Sequence, residues 1–127
     1  MLLECMEQGR FIELTIGYTK GGLNWFTGKQ EDRCFYLSIT PIKIETHNYN
    51  GREWQSKSSM LGHGYKVCTM PIMKKSEKAF REAIEDLKSR ALLVKSAIFK
   101  VLEEEDLLLK DSNAYDIDWT QFSYKEI

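Results

Sequence analysis

The 127-residue chain has no long hydrophobic run; its longest are three or four residues, such as Ala91-Leu92-Leu93-Val94. A spanning helix needs about 20, so none is expected. The opening Met1-Leu2-Leu3 is interrupted at once by Glu4 and Glu7, so no secretory signal is expected. Cysteine occurs three times, an odd number with no even disulfide framework, which points to a reducing, cytoplasmic setting. The formal charge is −1, with no excess of either sign to drive wholesale electrostatic binding to nucleic acid or membrane. Proline occurs only at 41 and 71, and from Lys74 onward there is neither proline nor glycine.

Catalytic signatures are missing as well. Residues 22–29 superficially follow a phosphate loop, but Gly22 and Gly28 are one residue too far apart and Gln30 replaces the magnesium-binding hydroxyl. There is no Gly-x-Ser-x-Gly elbow and no His-Glu-x-x-His pair. His47 and His63, the two histidines, could join Cys34 and Cys68 in a four-ligand set. Zinc ligands usually come as close pairs, and here only His63 and Cys68 are close. Nothing places a base beside Cys5. No metal, cofactor or catalytic residue is expected.

What is present is an ordinary globular composition, 43% hydrophobic and 29% charged. It suits a single α+β domain over residues 1–110, with a C-terminal tail at 111–127. The expected architecture is a four-stranded antiparallel sheet over residues 10–73, then one long helix over 76–102 or longer, then an acidic, aromatic tail.

The strands are read from alternation. Ile12, Leu14, Ile16 and Tyr18 share one face of a period-two segment. Gly21 and Gly22 suit a hairpin turn, and residues 23–27 a returning strand. Residues 34–45 are the strongest strand, with Phe35, Leu37 and Ile39 on one face and Ile42 and Ile44 in the opposite phase. Pro41 between them suggests a bulge or a sheet edge. Residues 46–64 are polar and read as a long loop. Residues 65–73 are a fourth strand.

Ser76 is placed to cap a helix, with Glu77 in its first turn. Phe80, Ile84, Leu87, Ala91, Val94, Ile98 and Val101 then recur at alternating spacings of four and three. A 27-residue helix would be about 40 Å long, and four strands only about 15–20 Å across. One sheet cannot cover it unless it crosses diagonally or breaks near Ser89. The uncovered stripe would meet the tail aromatics Tyr115, Trp119, Phe122 and Tyr124, or the same helix of a second subunit. For such a homodimer the expected interface is Leu87, Ala91, Val94, Ile98 and Val101.

Charge is uneven. Residues 1–75 carry ten basic and seven acidic side chains, and residues 76–127 eight and twelve. Basic and aromatic residues interleave in the strand region. Lys20, Lys29, Arg33 and Lys66 are candidate phosphate contacts, and Trp25, Tyr36 and Trp54 candidate base-stacking platforms. Phe26, adjacent to Trp25, falls on the opposite face of an extended chain.

The order of four strands then a long helix, with Gly64-Tyr65-Lys66-Val67 leading into Ser76-Glu77-Lys78-Ala79-Phe80, resembles the positive cofactor four and whirly group of single-stranded nucleic-acid binders. The resemblance implies a sheet that holds a single strand of DNA or RNA and helices that dimerise. The leading expectation is therefore a non-enzymatic single-stranded nucleic-acid-binding protein. The alternative is a protein-interaction or inhibitor module of a phage or mobile element, using a sheet edge near Pro41 and Pro71, the helix stripe, or residues 103–118 as a phosphate mimic. A third reading, an enzyme with residues 46–64 as a lid, has no site attached to it.

Overall fold

Strand β2 (Arg10–Thr19) and strand β5 (Cys34–Tyr49) form the centre of the sheet, antiparallel from Arg10↔Lys43 to Thr19↔Cys34. The structure, a computed structural model, describes residues 1–59, 64–111 and 115–127. Strand β1 (Leu2–Glu4) lies outside β2. The other edge of β5 takes two strands end to end, β6 (Arg52–Ser59) along Ile42–Tyr49 and β7 (Tyr65–Cys68) along Tyr36–Ile39. A separate two-stranded piece pairs β3 (Gly22–Leu23) with β4 (Gln30–Glu31). The fold is α+β with an antiparallel main sheet of five strands rather than four, and two helices rather than one. No helix among the described residues is long and apolar enough to cross a membrane.

The alternation of β2 puts Ile12 and Leu14 inward, against Leu37 and Ile39 of β5 and Val67 of β7. Helix α2 (Ala91–Glu104) lays Val94, Ala97, Ile98, Val101 and Leu102 on that face, and helix α1 (Glu77–Ser89) packs Phe80 and Ile84 on Phe35. Ser76 caps α1 by accepting a hydrogen bond from the Ala79 N–H, as its position suggested. Both helices cover one sheet face, and among the described residues no helix covers the opposite one.

The helix breaks at Arg90, whose φ and ψ are −110° and 39°. No proline or glycine causes it. Ser89 Oγ donates to the Asp86 carbonyl, and the Arg90 guanidinium bonds both Asp86 and the Cys68 carbonyl of β7. The break lets α1 and α2 each follow the twisted sheet. It also corrects the dimer seam. Leu87, Val94, Ile98 and Val101 are buried in the core of a single chain, and of the five only Ala91 is exposed. A stripe already covered by its own sheet has no surface left for a second helix.

Four strand expectations change. The register runs unbroken across Pro41, from Ile12↔Pro41 to Phe11↔Ile42, so there is no bulge. Pro41 falls between the stretches of β5 that pair with β7 and with β6. The phase change is a change of buried face along one strand. Residues 46–59 are not a loop: β5 continues to Tyr49, turns at Asn50-Gly51 with φ of 53° and 75°, and returns as β6. Positive φ at both positions is the two-residue hairpin turn that Asn-Gly favours. Residues 60–63 of the expected loop, His63 included, lie outside the described residues. Of residues 23–27 only Leu23 is in a strand, β3, and 24–27 turn, while the strand expected over 65–73 ends at Cys68. The tail folds back: Trp119, Phe122 and Tyr124 pack on the core, and Asp118 and Ser123 cap two single 3-10 turns.

Candidate functional site

On the open face of the sheet, Tyr36 lies directly across from Gly17. A Cβ on Gly17 would stand 2.3 Å from Tyr36 Cζ, so the tyrosine ring occupies the space that glycine leaves. Lys66, diagonal to Tyr36 on β7, holds its Nζ 4.6 Å from the ring centroid. Glycine, ring and cation thus form a stack across three strands. It borders an open cleft of about 560 Å³ that also includes Thr19, Glu31, Asp32 and Cys68. Cys34 lies there too, buried, and burial followed by the neighbouring Cys68 pushes its thiol up to about 11. The thiolate is the nucleophile, so Cys34 is a poor one near neutral pH.

Strand β4 lines the same cleft through Gln30 and Glu31, and the turn that joins it to β3 follows from there. That turn is organised by Asn24, whose Oδ1 accepts from the N–H groups of Phe26 and Thr27 and whose Nδ2 donates to Glu31. Asn24 N–H donates to the Lys29 carbonyl, and Gly28 N–H returns to the Asn24 carbonyl. This bracing turns both neighbouring rings outward: Trp25 is 87% exposed and Phe26 102%. Burying such a ring against a ligand is worth roughly 1.5–3 kcal/mol. Lys20, Lys29 and Arg33 are exposed around the turn, and Arg33 Nη1 donates to the Met73 carbonyl at 2.7 Å.

Among the described residues, none of Lys20, Lys29, Arg33 and Lys66 forms an ion pair. Arg10, Lys43, Lys57, Arg81, Lys88, Arg90 and Lys110 are all paired with carboxylates. Among the described residues Arg52, Lys74, Lys78, Lys95, Lys100 and Lys125 form no ion pair either, so unpaired cations are spread over the chain, and Lys20, Lys29, Arg33 and Lys66 are the ones near the β3–β4 end of the sheet. Glu31 and Asp32 stand among them and lower the local charge.

Trp54 is elsewhere. It stacks on His47 with ring centroids 5.4 Å apart, on the ribbon of residues 44–59 that extends past β2. His47 and Tyr36 are eleven positions apart on β5, roughly 36 Å at 3.3 Å per residue, and on opposite faces by alternation. The expected site therefore divides: Tyr36 and Lys66 stack on one another, Lys20, Trp25, Lys29 and Arg33 lie on or beside the β3–β4 turn at that end of the sheet, and Trp54 does not join them. Cys34 and His47 are thirteen positions apart on the same strand, so they cannot share an ion. Among the described residues no group of three or more His, Cys, Asp or Glu is placed to hold one.

The ribbon also contains a pairing that sequence reading missed. His47 Nε2 lies 2.7 Å from Ser56 Oγ and 4.0 Å from a Glu45 oxygen. Lys43 bonds Glu45 and holds that carboxyl below its ordinary value. Serine and carboxylate meet the same imidazole nitrogen, whereas a catalytic triad has the carboxylate orient the other one. Phe26, Gly17 and Asn24 were also missed as parts of the site. The signals were local for Asn24, which precedes two aromatics in a turn, and absent for Gly17, whose role depends on register.

No protein-family model, curated protein or solved structure matches the chain.

Proposed function

We propose that the chain is a non-enzymatic single-stranded nucleic-acid-binding protein, with the braced Trp25-Phe26 turn and the adjoining Tyr36–Lys66 stack as its contact surface. The observation that carries this reading is the coincidence, at one end of the sheet, of two rings held in solvent and four cations without ion pairs. Aromatic rings stack bases without regard to sequence, and Lys and Arg follow the phosphates. Lys20, Lys29, Arg33 and Lys66 take the phosphates, Trp25 and Phe26 stack bases, and Tyr36 offers a third platform.

The test is fluorescence anisotropy with labelled single-stranded and double-stranded oligonucleotides at 50 and 200 mM salt. Four phosphate contacts give a slope near 0.7 each, so single-strand affinity falls at most about 50-fold over that range. Trp25→Ala weakens binding about 5- to 150-fold, the equivalent of roughly 1–3 kcal/mol of stacking. Wild-type affinity in Trp25→Ala defeats the stacking assignment.

A second reading is a protein-interaction module, favoured by Glu31 and Asp32 among the cations and by the full exposure of Phe26. Under it neither oligonucleotide binds at 50 mM salt, and the two rings insert into a pocket on a protein partner.

A further inference from the structure

The two edges of the main sheet are treated differently. Beside β1, the chain at 108–110 closes the edge: Met6 N–H donates to the Leu108 carbonyl and Lys110 N–H to the Glu4 carbonyl. At the other edge, all eight residues of β6 are exposed, and no described strand pairs with its far side. Isolated edges are usually blunted by proline, bulges or several lysines. β6 has no proline and one lysine, Lys57.

The hairpin defines which groups face outward. In a two-residue turn the closing pair, here Tyr49 and Arg52, exchanges both hydrogen bonds, and bonded pairs then alternate. Arg52, Trp54, Ser56 and Ser58 therefore bond to β5. Glu53, Gln55, Lys57 and Ser59 direct their N–H and C=O groups away from the sheet.

We infer that this edge pairs antiparallel with the β6 edge of a second copy of the chain, about a two-fold axis at Gln55. Only outward groups can bond across the axis, so it passes through a residue rather than between two, and Trp54, Gln55, Ser56 and Lys57 are the central candidates, the last setting Lys57 against itself. With Gln55 on the axis, Glu53 of each copy stands opposite Lys57 of the other, twice. Shifting the axis to Trp54 or Ser56 loses both charge pairs. The Gln55 register forms about six backbone hydrogen bonds. It makes the two Trp54 side chains diagonal neighbours across the axis, within aromatic reach. A self-complementary patch of this kind is what a two-fold interface requires. Within one copy Lys57 already pairs with Glu13, and the Glu53 of the second copy adds a carboxylate on its other side.

Sedimentation of the full chain from 5 to 200 µM tests this. Wild type is expected to pass from monomer to dimer over the range. Gln55→Pro removes an outward N–H without touching the bonds to β5, and it should stay monomeric with an unchanged circular dichroism spectrum. Glu53→Lys sets lysine against lysine and should raise the dissociation constant tenfold or more. Dimerisation should return in Glu53→Lys/Lys57→Glu. A wild type that is monomeric at 200 µM overturns the inference. So does a dimer that withstands Glu53→Lys, which needs no assumption about the fold of the proline variant.

Discussion

Gly17→Ala sets two effects of known sign against each other. Gly17 has no positive φ, so alanine meets no backbone penalty there. In a strand, alanine in place of glycine is ordinarily stabilising by roughly 0.5–1 kcal/mol. Here the new methyl would stand 2.3 Å from Tyr36 Cζ and 2.4 Å from its Oη, so the ring must swing off the sheet. That displacement abandons the ring's packing and its contact with Lys66, the latter worth about 0.5–1 kcal/mol at an exposed site. Forced repacking typically costs about 1–3 kcal/mol. The net expectation is a loss of about 1 kcal/mol. With urea slopes of about 1–3 kcal/mol/M, the unfolding midpoint falls by roughly 0.3–1 M. The control is a double-mutant cycle with Tyr36→Ala. With the ring gone, Gly17→Ala should turn stabilising by about 0.5–1 kcal/mol, reversing sign. If it stabilises in both backgrounds, Tyr36 does not rest on Gly17 and the stack is wrong.

Two further outcomes follow from the packing. Because burial raises the Cys34 thiol from 9.0 to about 11, its alkylation should quicken about tenfold per pH unit between 8 and 10, and at each pH it should lag behind that of exposed Cys68. The folded state holds the Cys34 proton more tightly than the unfolded chain, so the associated stability is present below pH 9 and lost as pH rises through 11. Urea unfolding at pH 7 and 10.5 should show a smaller alkaline loss in Cys34→Ala; mass-spectrometric labelling of Cys34 at a free-thiol rate at pH 7.5 would contradict its burial. Deleting residues 115–127 removes Trp119 and Phe122 from both core clusters and should lower stability by about 2–4 kcal/mol, where a solvated tail would leave it unchanged.

That dependence alters how the acidic segment is understood. Glu105 is almost wholly buried and pairs with Arg10, and Asp118 caps a turn through Thr120, which holds its carboxyl below the ordinary value. These two charges are spent on the fold, while Glu103, Glu104, Asp106 and Asp116 stay exposed. Truncation at 103 would therefore test the fold before it tested any partner.

Local patterns were legible in the amino-acid sequence. The alternation of Ile12, Leu14 and Ile16, the Ser76 cap and the period of Phe80 to Val101 each follow from one residue and its near neighbours, and each appears where expected except at Ala91, which is exposed beside the break. The β6 hairpin was legible only through Asn50-Gly51, because a strand with all eight residues exposed carries no hydrophobic alternation. Other features depend on contacts distant in sequence. The helix divides at Arg90 because its guanidinium reaches Asp86 and the carbonyl of Cys68 on β7. Periodicity showed that Leu87, Val94, Ile98 and Val101 share a face, but the chain's own sheet, not a second helix, covers it. Register alone brings Gly17, Tyr36 and Lys66 together and leaves Trp54 on the far ribbon. Composition and local spacing determine which residues are apolar, capped or turned; pairing across the sheet decides which of them share one surface.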